Sequence, residues 1–275
     1  MEGDVSTANR FALIGFGAIG QEIAGAVGKL GEADSLVAAL VRPGREAGAT
    51  PAVHDVAGLL AAQPSIVLEC AGHQAVRDFG PAVLEAGLDL VVSSVGVLAD
   101  SAFAEALAAA ERKGGGRLLI PAGAIAGLDG LAAASLAGLS RVTYTSFKPP
   151  HAWRGTPAED AIDLDHAQEE VVFFEGSARQ AALSYPKNAN VSVAVSLAGL
   201  GLDQTAVKLV SSRRVTDPLG VIEAEGDFGR FLFEIFAVAA PGNAKTSALT
   251  AYSLLQCARL GFGLHAARLQ ADLLP

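Results

Sequence analysis

The sequence predicts an α/β protein in two parts, a parallel-sheet domain followed by an α+β domain with a mixed sheet. Three observations predict it. Up to about Ala124, short apolar runs alternate with segments of helical period. Beyond that point, period-two segments follow one another with few helical crossovers. A glycine-rich turn joins the first apolar run to the first helical segment.

The elements follow in order. Phe11 to Ile14 is a short apolar strand, and Gln21 to Leu30 carries Ile23, Ala26, Val27 and Leu30 on one helical face. Ser35 to Val41 is the next strand and Val56 to Ala62 the next helix. Ser65 to Cys70 reads as a buried strand, Ala75 to Ala86 as a helix, and Leu88 to Ser93 as a strand. Ala102 to Lys113 is a helix and Arg117 to Ile120 a strand. Strands separated by helices at this spacing imply βαβ units, because a parallel neighbour needs a crossover. In the second part, Val142 to Phe147 alternates with period two, and Val171 to Gly176, Val207 to Ser211, Val221 to Glu225 and Phe231 to Phe236 add strands. Lys148 to Asp163, with Pro149, Pro150 and Pro157, reads as a loop. Thr246 to Leu274 reads as helical and apolar, a tail expected to pack on the first domain. The domain division is therefore 1–124 with 245–275, and 125–244.

Composition narrows the function. Of 275 residues, 51% are hydrophobic and 18% charged, which excludes a disordered chain. Twenty Lys and Arg against 29 Asp and Glu leave a formal charge of −9 with no basic run, a poor surface for nucleic acid or anionic lipid. The two cysteines, Cys70 and Cys257, sit in apolar stretches and fit a reducing cytoplasm better than a disulfide scaffold. The amino-terminal MEGDVSTANR lacks the layout of a signal peptide, and the longest uncharged stretch is too short to span a membrane. A cytoplasmic protein without membrane or nucleic-acid partners is the expectation. No metal-ligand spacing, paired catalytic carboxylates or G-x-S-x-G elbow occurs.

The chemistry begins at Gly15-Phe16-Gly17-Ala18-Ile19-Gly20, a G-x-G-x-x-G between a strand and a helix. The first glycine permits a tight turn and the second a close approach of backbone to a pyrophosphate. The third allows close packing of helix on strand, while the helix N-terminus offers free N–H groups. The reading is a Rossmann-type dinucleotide domain, against a structural glycine turn. The acid that would hold NAD ribose hydroxyls after the second strand is absent. Arg42, followed by Arg45, stands there instead, a residue able to hold a 2′-phosphate. NADP is expected to be accepted alongside NAD, unless both arginines are simply solvated.

Further motifs add specificity: Val67–His73, Val91–Gly96, Pro121–Asp129, Phe147–Pro150, Tyr185–Val191, Gly226–Gly229 and Asn243–Ser247. Together with the glycine loop, and in this order along nearly the whole chain, they resemble the L-aspartate dehydrogenase family. The resemblance implies a two-domain homodimer that oxidises L-aspartate with NAD or NADP. The product is iminoaspartate, released as such or hydrolysed to oxaloacetate and ammonia. It also implies that Ala124 and Asn190 contact the cofactor.

One position departs from that family. Aligned on Gly226–Gly229, Gly220 stands where the family has a histidine in an R-N-x-H-E-like segment, and Asp217-Pro218 replaces Arg-Asn. Glycine can neither give nor take a side-chain proton, and general acid–base help contributes about 10²–10⁴-fold. Three readings stay open: a weakened or engineered dehydrogenase, an imine reductase on a related substrate, or another group standing in for the histidine. A catalytically impaired dinucleotide-binding protein is the rival from a different class. His151 and Lys187 are the candidate stand-ins, with a surface-loop histidine and an anion-holding lysine as the plainer alternatives. Lys148, Lys187 and Lys245, with Thr246 and Ser247 at an expected helix start, are candidates to hold the substrate carboxylates. His73 follows a predicted strand near the nicotinamide half of a cofactor, or else is a helix-cap histidine. Glu69 ends a buried strand, where it must be hydrogen-bonded or face the cleft.

Overall fold

The computed structural model describes residues 10–166, 169–186, 189–240, 243–261 and 263–266. The chain divides into two compact units. The first comprises the described residues up to Ser94 and within Glu105–Pro121 and Ala251–Gly263; the second comprises those within Val95–Ala104 and Ala122–Thr250 and the described residues from Leu264 onward.

In the first unit, strands and helices alternate: β1 (Phe11–Ile14), α1 (Ala18–Lys29), β2 (Leu36–Leu40), β3 (Ala52–Val53), α2 (Val56–Ala61), β4 (Ile66–Glu69), α3 (His73–Glu85) and β5 (Asp89–Val92). Then come α4 (Ser101–Gly114) and β6 (Leu118–Ile120). Six strands run parallel in the order β6-β5-β4-β1-β2-β3, the order of a doubly wound Rossmann-type sheet. Strand order reverses at β1, which pairs with β2 on one side and β4 on the other. Apart from β3 the strands are short and almost wholly buried, as parallel strands covered on both faces must be. Phe11, Leu13, Ile23, Val27 and Leu68 share a core with Leu254, Leu255 and Cys257 from the late part of the chain. Burial pushes the Cys257 thiol up to about 12, so it stays a protonated packing group.

The second unit is built on a five-stranded mixed sheet of β7 (Leu139–Lys148), β8 (Glu170–Ser177), β9 (Ala206–Ser212), β10 (Leu219–Gly226) and β11 (Gly229–Phe236). Its order is β11-β10-β7-β9-β8; β7 and β9 are parallel and the other pairs antiparallel. The parallel pair needs a crossover, supplied by helices the period-two reading passed over. α5 (Leu128–Leu136) precedes β7, α6 (Ala158–Ala161) is one turn in the proline-rich segment, and α7 (Ala178–Ser184) and α8 (Asn190–Ala198) lie between β8 and β9. α8 is buried at every position from Ser192 to Ala198, so it has no polar face to produce a helical period. The expected helix over Thr246–Leu274 is interrupted within the described residues, and its residues 267–274 lie outside them. β12 (Ala239–Ala240) pairs with β13 (Asn243–Ser247), α9 spans Leu249–Leu260, and Leu264–His265 is a short strand. Ser247 therefore ends a strand, and its Oγ accepts from the N–H of Leu249 at the start of α9.

Trp153 is the largest fully buried side chain of the second unit. It sits on a 3₁₀ turn, Pro150–Trp153, with its indole N–H donating to the Val210 carbonyl at 3.1 Å and its ring edge-on to Phe173 at 4.8 Å. Trp153→Ala is expected to lower unfolding stability by about 3–5 kcal/mol, since it leaves both a cavity and an unpaired carbonyl. Urea unfolding checks this; a loss below about 1 kcal/mol means the ring is not a packing anchor.

Candidate functional site

The dinucleotide loop is shaped by two places where no side chain fits. Gly15 has φ +97°, and a Cβ there would lie 2.7 Å from the Cβ of Ala71. A Cβ on Gly20 would lie 2.8 Å from the Gly15 carbonyl oxygen. The chain thus leaves β1 in a turn that presses α1 onto it, and the Cys70 thiol donates to the Gly15 carbonyl at 3.2 Å. Gly17 is the N-cap of α1; a Cβ there would meet nothing within 4 Å. The first turn, with Ala18 and Ile19, has no acid and no side-chain cap. Open space beside uncapped N–H groups suits a pyrophosphate. Arg42 is exposed just beyond β2, in a turn where the Arg45 N–H donates to its carbonyl.

Beside this loop lies a buried carboxylate whose bonding the sequence did not reveal. Glu69, at the end of β4, is 0% exposed. Its Oε1 accepts from the N–H of Ala71 at 2.7 Å, the N–H of Gly72 at 2.7 Å and the Ser94 hydroxyl at 3.0 Å. Its Oε2 accepts from the Ser94 N–H at 3.0 Å. Burial pushes its pKa above the usual carboxylate value, while the four hydrogen bonds pull the other way. His73 opens α3 directly after Gly72.

In the second unit, Asn190 is the first residue of α8, and its Oδ1 accepts from the Gly96 N–H at 2.9 Å. It thereby fixes the 3₁₀ segment Val95–Ala99. Ala124 is half-buried next to buried Ile125. Gly220 lies on β10 opposite Ser146 of β7. A Cβ at residue 220 would stand 3.4 Å from the ring edge of Tyr144, 3.5 Å from its hydroxyl and 3.7 Å from an Ile125 methyl. Ala124 and Gly220, distant in sequence, are thus brought close through Ile125. Tyr144 is a neighbour the sequence did not single out. Its hydroxyl is buried and hydrogen-bonded with Ser146, and burial raises its pKa to about 12. It is a neutral donor or acceptor, not a base.

The remaining candidates are spread more widely. Lys148 is buried, with its ammonium 5.0 Å from the Trp153 ring centroid, a cation–π arrangement. His151 is exposed on the 3₁₀ turn. Ser247 is buried at the end of β13. Lys245 and Thr246 belong to β13, but their side chains, like Lys187 altogether, lie outside the described residues. No group of three or more metal-ligating side chains occurs among the described residues, and no described helix is long and apolar enough to cross a membrane.

A doubly wound sheet and a glycine turn against an uncapped helix, followed by a second mixed-sheet unit, are the features of a dinucleotide-binding protein of Rossmann type. The comparisons narrow the class. Residues 15–121 match the family described as homoserine dehydrogenase, NAD binding domain, and residues 129–260 that described as aspartate dehydrogenase, C-terminal. The chain is 44% identical over 254 residues to an L-aspartate dehydrogenase of Ruegeria pomeroyi, covering 91% of each. It is 47% identical over 204 residues to that of Cupriavidus necator, covering 74% of this chain and 76% of the relative. Among solved structures, aspartate dehydrogenase from Thermotoga maritima matches with a TM-score of 0.72 and 24% identity, covering 91% of this chain and 95% of that one, a likeness of fold. The chain belongs to the L-aspartate dehydrogenase family, and its cofactor is NAD or NADP.

Gly20→Ala is expected to weaken NADH binding by about tenfold or more, because the added methyl must push against the Gly15 carbonyl. Gly25→Ala, in open space within α1, is the control and should leave affinity unchanged. Fluorescence titration of NADH reads both, and equal affinities in the two variants contradict this account of the turn.

Proposed function

We propose that the chain is an NAD(P)-dependent L-aspartate dehydrogenase whose proton-handling histidine is replaced by Gly220. It interconverts L-aspartate with iminoaspartate, or with oxaloacetate and ammonia after hydrolysis. The observation that carries the reading is 44% identity across 91% of both lengths to an L-aspartate dehydrogenase. When bound, the cofactor supplies a nicotinamide C4 that exchanges hydride with the substrate Cα.

The chain's own residues bind and orient. The N–H groups opening α1, at Gly17, Ala18 and Ile19, take the pyrophosphate, and Gly15 and Gly20 keep the turn close. Arg42 takes a 2′-phosphate. Ala124 and Asn190 flank the ring. Lys148, Lys187 and Lys245 supply cations for the two substrate carboxylates, with Thr246 and Ser247 as hydroxyl donors. Ser247 suits this role because its oxygen accepts from Leu249, leaving its proton to donate elsewhere. The first unit is given to the cofactor and the second to substrate and dimer contact; against the expected division of 1–124 with 245–275 and 125–244, Val95–Ala104, 122–124 and 245–250 fall in the second unit. A homodimer is supported by apolar side chains on and just beyond the edge strand β11, where Phe236 is 75% and Val238 67% exposed.

Position 220 governs the rate. The Tyr144 hydroxyl beside it can donate or accept a hydrogen bond, but cannot draw a proton from an ammonium group at neutral pH. His151 and Lys187 remain the proposed stand-ins. Turnover is therefore slow, and reduction of a preformed imine is less affected than the step in which water attacks the imine. A non-catalytic dinucleotide-binding protein is the second reading, favoured by Gly220 alone.

Aspartate oxidation and reductive amination of oxaloacetate are expected to proceed slowly in this chain. Gly220→His should raise kcat by about 10²-fold or more, since a Cβ fits at that position without displacing a neighbour. Fast turnover without the histidine would place the proton work on His151 or Lys187. No turnover in either form, with tight cofactor binding, would establish the non-catalytic reading.

Arg42→Ala should raise the KM for NADP by about tenfold and leave that for NAD within about twofold, the loss of one charge-assisted contact. Strict NAD dependence in the unaltered chain contradicts the role given to Arg42.

A further inference from the structure

Glu69 is a fully buried carboxylate that the proposed chemistry does not use, yet it takes hydrogen bonds from two strand ends. Its partners are the N–H groups of Ala71 and Gly72, after β4, and the N–H and hydroxyl of Ser94, after β5. No described peptide bond is cis. In a trans peptide the N–H and the preceding C=O point in opposite directions. Fixing these three N–H groups on Glu69 therefore aims the carbonyls of Cys70, Ala71 and Ser93 away from the buried carboxylate, on the side where β4 and β5 end.

The sheet order says which part of a dinucleotide reaches them. The pyrophosphate belongs at α1, directly after β1; β2 and Arg42 lie to one side of β1, and β4 and β5 to the other. With the adenosine half toward β2, the nicotinamide riboside extends over β4 and β5. Carbonyls repel phosphate but accept from hydroxyls and amide N–H groups. The riboside carries two ribose hydroxyls and a carboxamide.

We propose that Glu69 is a positioning residue for the cofactor. It turns the peptide planes 70–71, 71–72 and 93–94 so that their carbonyls accept hydrogen bonds from the ribose hydroxyls and carboxamide of the nicotinamide half. This rests on the cofactor reading above and is independent of which amino acid is oxidised.

The test uses ligand binding without substrate. Glu69→Gln keeps the volume, but its NH₂ group must meet donors already directed at that site, so the planes turn. NADH affinity should weaken about tenfold or more, while ADP, which has the adenosine and phosphates but no nicotinamide, should change by less than about twofold. A purely structural role predicts a lower Tm with both ligands weakened alike, or neither, and either pattern overturns the proposal. If Glu69→Gln does not fold, a structure of the unaltered protein with NADH decides. A carbonyl of Cys70, Ala71 or Ser93 within about 3.2 Å of a ribose hydroxyl or the carboxamide nitrogen supports it, and a riboside bonded elsewhere overturns it. Unaltered protein that binds ADP but not NADH overturns the cofactor reading and this proposal together, whereas normal NADH binding by Glu69→Gln overturns this proposal alone.

Discussion

The absence of side chains at positions 15 and 20 is the constraint on which the first unit turns. β1 can pass into α1 in so short a turn only because Gly15 adopts φ +97° against Ala71 and Gly20 packs on the Gly15 carbonyl. A methyl group at either place meets backbone or Cβ atoms that cannot swing aside. From that close approach follow the exposed N–H groups at the head of α1 and the space beside Gly17. The neighbouring strand end is held just as firmly, by the Cys70 thiol on the Gly15 carbonyl and by Glu69 on Ala71, Gly72 and Ser94. The cradle is made of backbone, and buried side chains set its shape.

The second unit works differently, by placing side chains from separate segments at one sheet face. Tyr144, Ile125 and Gly220 come from β7, the segment before α5 and β10, and they meet within 4 Å of where a Cβ at residue 220 would be. On the proposal that Gly220 replaces the family's histidine, the packing around it does not need that side chain, so fold and proposed cofactor contacts are separable from proton transfer. That separation is why the chain can keep its family's architecture while its proposed rate rests on one position. Lys148 illustrates a related compromise. Its ammonium lies over Trp153, so any part it takes in holding a carboxylate is played by a partly desolvated cation.

The sequence was most legible where elements are amphipathic or bounded by turn residues. Apart from β3, a two-residue strand that was not predicted, the strands of the first unit appear within a residue or two of the predicted spans, because short apolar runs between helices leave little choice of register. The strands β7 to β11 were found through period-two alternation, and the glycine loop through its setting between strand and helix. Of the helices that escaped notice, α5 and α8 had no helical period to show, whereas α7 buries Ala178, Ala181 and Ala182 on one face behind a Ser177–Gln180 capping box. α5 and α8 are apolar nearly throughout, and the valines of α8 favour strands by local preference, which burial overrides. The apolar tail read as one helix because apolar residues continue past Leu260, where α9 has already ended, into the short strand Leu264–His265. At the site, the glycine spacing could be read directly, and the proposed gap at 220 only through the family resemblance. The roles of Glu69 and Tyr144 could not, since they depend on contacts with Ser94 and Gly220, far away in sequence.

The central claim is that hydride passes from the substrate carbon to the cofactor within this chain. Single-turnover oxidation of L-aspartate deuterated at Cα, with mass analysis of the reduced nucleotide, tests it most directly. The account predicts one deuterium on the nicotinamide of the product NADH or NADPH. Reduced nucleotide lacking deuterium, or deuterium lost to water without nucleotide reduction, would contradict it.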